Sequence, residues 1–95
     1  VEDKVKTKDG KVMVRFHSLY YDILGIRRAQ IVQNTLYDFE FNIEIDENFI
    51  KQTAEQIITK RLQMQVNGIQ RITFNYPEAI PNERSGKFKS VISKL

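Results

Sequence analysis

The sequence predicts an α+β fold: a small mixed or antiparallel sheet with one long helix, short helices and an N-terminal β-hairpin. Three observations lead there. From Leu36 to Ile45 apolar and polar residues alternate, with Tyr37, Phe39, Phe41, Ile43 and Ile45 on one side and Asp38, Glu40, Asn42 and Glu44 on the other. Period-two alternation marks a strand with one buried and one wet face. Ile50, Ala54, Ile57, Ile58 and Leu62 then recur at helical spacing, which predicts a helix over about Glu47 to Val66 with one apolar stripe. Finally, Asp9-Gly10 lies between apolar stretches, a turn signal in which both residues favour positive φ.

The remaining elements follow in chain order. Val5 to Phe16 reads as a hairpin, with Val12, Val14 and Phe16 alternating onto one face. His17 to Gly25 reads as a short helical turn closed by glycine, with His17 a partly buried structural residue. Ile26 to Gln33 is a strand, separated from the next by Asn34-Thr35. Asp46 or Asn48 is the expected cap of the long helix, and Asn67-Gly68 its end. Ile69 to Tyr76 is a strand that buries Ile72, Phe74 and Tyr76. Pro77 to Gly86 is a loop, because Pro77, Pro81, Ser85 and Gly86 oppose regular structure. Phe88 to Leu95 is expected to form a last short helix.

Ninety-five residues make one domain, here residues 1–95. Apolar and charged residues are 41% and 28% of the chain, the balance of a globular domain. With no cysteine and a single His17, thiolate metal sites are excluded and no metal site is expected. The absence of cysteine fits a cytoplasmic setting. Apolar runs are too short for a membrane span, so no membrane partner is expected. The net charge is +3, with Lys4, Lys6, Lys8 and Lys11 near one end and Arg84, Lys87, Lys89 and Lys94 near the other. Such ends read either as solvated surface or as an anion-facing edge.

One segment departs from generic texture: Ile80-Pro81-Asn82-Glu83-Arg84-Ser85-Gly86-Lys87-Phe88. A lysine after Ser-Gly on a proline-bounded loop is exposed, and its ammonium is a compact cation on a long stem, suited to phosphate. As an isolated pair, Gly86-Lys87 reads as a surface turn. It lacks the earlier glycine of a phosphate-binding Walker loop, and no strand leads directly into it.

The segment resembles the terminal motif of acyl-CoA ligases and related adenylate-forming enzymes, a proline-bounded basic loop ending in Ser-Gly-Lys. Other stretches fall in that family's order. Val1-Glu2-Asp3 resembles the end of its hinge motif, and Thr7-Lys8-Asp9-Gly10-Lys11-Val12 the hairpin that follows. Ile26-Arg27-Arg28-Ala29-Gln30-Ile31-Val32-Gln33 and Gly86-Lys87-Phe88-Lys89-Ser90-Val91-Ile92-Ser93 are similar to the phenylacetate–CoA ligase branch and its capsular-polysaccharide-biosynthesis relatives. Many relatives place Arg after the motif proline, where this chain has Asn82, and Arg84 is given no catalytic role. The segment from His17 to Gly25 is shorter than its counterpart in phenylacetate ligases.

The resemblance implies that the chain is the C-terminal lid domain of a longer enzyme, and the start at Val1 reads as an interior boundary. The parent enzyme is expected to join a carboxylic acid to ATP, giving an acyl adenylate, and to pass the acyl group to a thiol such as coenzyme A. Lys87 is the implied catalytic and nucleotide-binding residue, and Asp3 the hinge. ATP and Mg²⁺ are expected to be held mainly by an N-terminal nucleotide-binding domain of the same chain. The alternative is a small RNA- or protein-binding α+β module without catalysis. Against RNA, the chain lacks an aromatic-basic strand motif, and the Phe39/Phe41 strand is acidic on its other face. No nucleic-acid partner is expected.

Overall fold

The computed structural model describes residues 4–95 apart from 11, 14, 15, 67 and 69, and for 12 and 13 the backbone alone. Among these residues, the elements in chain order are β1 (Val5–Lys6), β2 (Val12–Met13), a 3-10 helix (His17–Leu19), β3 (Ile26–Gln33), β4 (Asp38–Ile45), α1 (Lys51–Gln65), β5 (Arg71–Asn75) and β6 (Val91–Ser93). The α+β expectation holds. β1 and β2 form a hairpin, and the other strands form one mixed sheet in the order β5-β4-β3-β6. β3 and β4 are antiparallel, whereas β5 runs parallel to β4 and β6 parallel to β3.

Pairing register assigns the two faces. Ile31 lies opposite Phe41 and Val91, and Phe39 opposite Ile72, so these side chains share the face that carries the core. Ile58 and Leu62 of α1 join Phe39, Phe41, Ile43 and Ile31 there, all essentially inaccessible. Phe41 stacks on Phe74 at 5.3 Å and meets the edge of Tyr20 at 6.3 Å, geometries that add to simple burial. The opposite face carries Arg28, Gln30, Asn42 and Glu44 in register.

Gln33 lies on the core face and is fully buried. Its amide donates to Lys6 O at 2.7 Å and accepts from Lys6 N at 2.9 Å. A buried amide needs such partners, and here they tie the hairpin to the sheet. Arg61 links α1 to the segment after the 3-10 helix, donating to Tyr21 O at 2.7 Å and to the Asp22 carboxylate at 3.0 Å.

Several expectations are corrected. The tail is not a helix. Ile31 N donates to Ser90 O and Lys94 N to Gln33 O, both at 2.9 Å, which makes Val91–Ser93 a strand on the open edge of β3. α1 begins at Lys51 rather than Glu47, and neither Asp46 nor Asn48 caps it. Asp46 instead accepts Asn48 N at 2.8 Å, spending its carboxylate on a turn before the helix. Ile50, expected on the buried stripe, precedes the helix in extended conformation and is 68% exposed. Ile45 ends its strand and is exposed, as is His17. In the hairpin turn Gly10 takes positive φ and Asp9 does not; Val14 lies outside the described residues.

Candidate functional site: a lysine loop seated on the polar face of the sheet

β5 and β6 occupy opposite edges of the sheet, so residues 76–90 must cross it. α1 covers the core face, and the crossing segment takes the other. That topology explains why a long loop lies where the sequence places Pro77 to Gly86. The polar side chains of β3 and β4 form its seat. Arg28 grips the Glu44 carboxylate through Nε at 3.0 Å and Nη2 at 2.7 Å, a forked charge-assisted contact. The same Nη2 donates to Ile80 O at 3.0 Å, and the same carboxylate accepts Ile80 N at 2.7 Å. Arg28 Nη1 donates to Asn82 at 3.4 Å, and its guanidinium lies 4.4 Å from the centre of the Phe88 ring. One arginine therefore touches the loop both before and after Lys87.

A second row of contacts runs beside the first. Asn75 donates to Asn42 at 3.1 Å, Asn42 to Gln30 at 2.9 Å, and Gln30 to Lys89 O at 2.8 Å. This chain of amides crosses β5, β4 and β3 and ends on the loop.

Between these anchors the loop folds on itself. Gly86 N donates to Glu83 O, and Glu83 N to Lys87 O, both at 2.8 Å. This is the bonding pattern of a three-residue hairpin loop whose last residue is left-handed, and Gly86 has φ +83°. A Cβ there would have no atom within 4 Å, so the glycine is needed for its backbone angle and not for space. The Ser-Gly ahead of the lysine thus makes a tight turn rather than a phosphate cradle. It fixes the Lys87 backbone while the side chain stays exposed. A cation held at its root and free at its tip can approach an anion supplied from outside the domain.

Two cavities among the described residues lie away from this loop. An apolar one of 190 Å³ is lined by Ile23, Leu24, Ile50 and Ala54 among others, below the ~300 Å³ of ordinary small-molecule sites. A groove beside α1 and β5 is lined by Lys60, Ile72 and Phe74 among others. Neither is lined by a residue of 80–88. Asp3, the expected hinge, lies outside the described residues. Among the described residues no group of His, Asp or Glu gathers as a metal site, and no helix is long and apolar enough to cross a membrane.

The arrangement gives Glu44 a testable pH signature. The Arg28 hydrogen bonds and then the Ile80 N–H outweigh an opposing effect of burial and, with the weaker pull of the Arg28 and Arg27 charges, hold its carboxyl below the ordinary 4.5. A depressed folded pKa means that Glu44 stabilises the seated loop fully above 4.5 and loses that effect as pH falls through the lower folded value. A carboxyl-carbon NMR titration should give a Glu44 midpoint below 4.5, with the Ile80 amide shifting in step. A midpoint at or above 4.5 would contradict the clamp.

The local motif singles out Lys87 but not Arg28, Gln30, Asn42, Glu44 and Phe88, which surround its loop in the structure. The only sequence signal for the clamp was the opposite charge of Arg28 and Glu44 on alternating strands, and it becomes a contact only once the register is known. Fold and site together define a small α+β domain that offers a lysine on a seated loop. The chain belongs to the CapK C-terminal domains, a capsular-polysaccharide-biosynthesis family whose model matches residues 5–94. No curated protein and no solved structure gives a match.

Proposed function

We propose that this is the mobile C-terminal lid of an ATP-dependent, carboxylate-activating biosynthetic enzyme, and that Lys87 is its adenylation lysine. The observation that carries the reading is the loop itself, fixed at Ile80, Asn82, Phe88 and Lys89 while the Lys87 side chain remains exposed. ATP would supply the adenylyl group that activates the carboxylate, with pyrophosphate leaving, and the N-terminal nucleotide-binding domain would hold ATP and its Mg²⁺. Lys87 brings its ammonium to the carboxylate and the α-phosphate as negative charge concentrates between them, stabilising the transition state in a site closed to water. Asp3 is the proposed pivot about which the lid turns between adenylation and transfer to a thiol acceptor, coenzyme A being one. The proposed setting is the cytoplasm, where ATP is available.

An RNA-binding sheet platform gains no support from this geometry. Part of the polar face lies under the loop, and its charged pairs are engaged with each other. The lid reading is tested by assaying carboxylate-dependent release of pyrophosphate from ATP. This chain alone is expected to give none, because the proposed nucleotide site lies on the N-terminal domain, whereas the full-length protein is expected to turn over. Turnover by the isolated chain would overturn the lid reading.

A further inference from the structure

The proposed function assigns Lys87 a role but leaves open what aims it. Lys87 is exposed, and an exposed lysine samples many rotamers at little cost. Its reach toward a fixed phosphate therefore depends on where its backbone is held. The turn through Gly86 sets local geometry only, since both of its hydrogen bonds join residues within 83–87. Placement of that turn relative to the domain comes from the contacts to β3 and β4.

We propose that Arg28 is the positioning residue for Lys87, with Glu44 as its brace. Arg28 joins Glu44 on the neighbouring strand, Ile80 and Asn82 before the turn, and Phe88 directly after Lys87. No other residue in the described contacts touches both sides of the turn. The Gln30 amide reaches only Lys89. A planar fork suits this task and an ammonium does not, because the guanidinium bonds in its plane to carboxylate and carbonyl while its face lies on an aromatic ring. Glu44 completes the brace by taking Ile80 N on the oxygen that Arg28 also holds. Both charged groups are engaged with each other and with the loop, so both are placed to act through Lys87.

This inference rests on the proposed adenylation role of Lys87, and the test separates the two. In the full-length protein Arg28→Met removes the fork and keeps an apolar stem against Phe88. Adenylation is expected to slow about 10²-fold, the cost of a misplaced reacting group, with a small change in KM for ATP. Transfer from a supplied acyl adenylate should be unaffected. Amide exchange at Ile80 should accelerate, because the Glu44 carboxylate that accepts its N–H loses the arginine that holds it. Arg28→Lys, which keeps the charge but not the fork, should fall between Met and wild type. It also carries the test should Arg28→Met fail to fold.

The deciding comparison is a double-mutant cycle with Lys87→Ala. If Arg28 acts through Lys87, Arg28→Met adds no further loss of adenylation in the Lys87→Ala background. A fully additive loss, or an adenylation rate unchanged in both Arg28 variants, would overturn the inference while leaving the role of Lys87 intact. If Lys87→Ala alone adenylates normally, the role of Lys87 falls, and the positioning role of Arg28 falls with it.

Discussion

Lys87→Ala in the full-length enzyme is expected to slow adenylation by about 10²–10³, equivalent to roughly 3–4 kcal/mol of lost transition-state stabilisation. Folding should survive, because the side chain is exposed and sits outside the core. Turnover should fall more than ATP binding weakens, since the ammonium interacts most strongly once charge has developed. Acyl transfer from a supplied acyl adenylate should continue if the proposed lid turns and carries Lys87 away from the phosphate before that step. Assaying the two half-reactions separately checks this pattern. Equal failure of both would mean that the residue is structural or that the lid does not turn.

A comparably large effect on stability is expected from Gly25→Ala. Gly25 has φ +85°, and a Cβ there would lie 2.3 Å from Phe49 N and 2.6 Å from Phe49 Cα. Those atoms belong to backbone, in a turn held by Asp46 N to Gly25 O at 2.9 Å and Phe49 N to Asp46 O at 3.2 Å. Moving them would disturb both the entry to β3 and the approach to α1. The left-handed angle alone costs an alanine about 1–2 kcal/mol, and forced overlap in a packed site about 1–3 kcal/mol more. Thermal unfolding should show Tm lowered on the order of 10–30 °C. Gly10→Ala is the control, having φ +81° and no atom within 4 Å of its Cβ. Equal losses at the two positions would mean that the Phe49 contact contributes nothing.

The fold was most legible where a single period reported burial. Phe39, Phe41 and Ile43 alternate and are buried, and Ala54, Ile58 and Leu62 follow a helical stripe and are buried. Legibility failed where a neighbour distant in sequence decided the outcome. Val91–Ser93 is a strand because the edge of β3 was open to it, and no local pattern in the tail carries that information. Asp46 looked like a helix cap because Asp is chemically able to cap, but its carboxylate closes the preceding turn. In the candidate site, Lys87 could be found because its signal is local: Ser-Gly-Lys on one loop. Its seat could not, because Arg28, Glu44 and Ile80 come from three separate elements. The wet face of β4, read as solvated, turns out to hold the loop.

In the proposed closed state the Lys87 ammonium reaches the α-phosphate. The most direct measurement is the structure of the full-length protein with ATP and its carboxylic acid bound. The 80–88 loop is expected to remain seated on Arg28 and Glu44, with Lys87 Nζ about 3 Å from an α-phosphate oxygen, within charge-assisted hydrogen-bond reach. A closed lid with Lys87 in solvent and a different cation on the α-phosphate would contradict it.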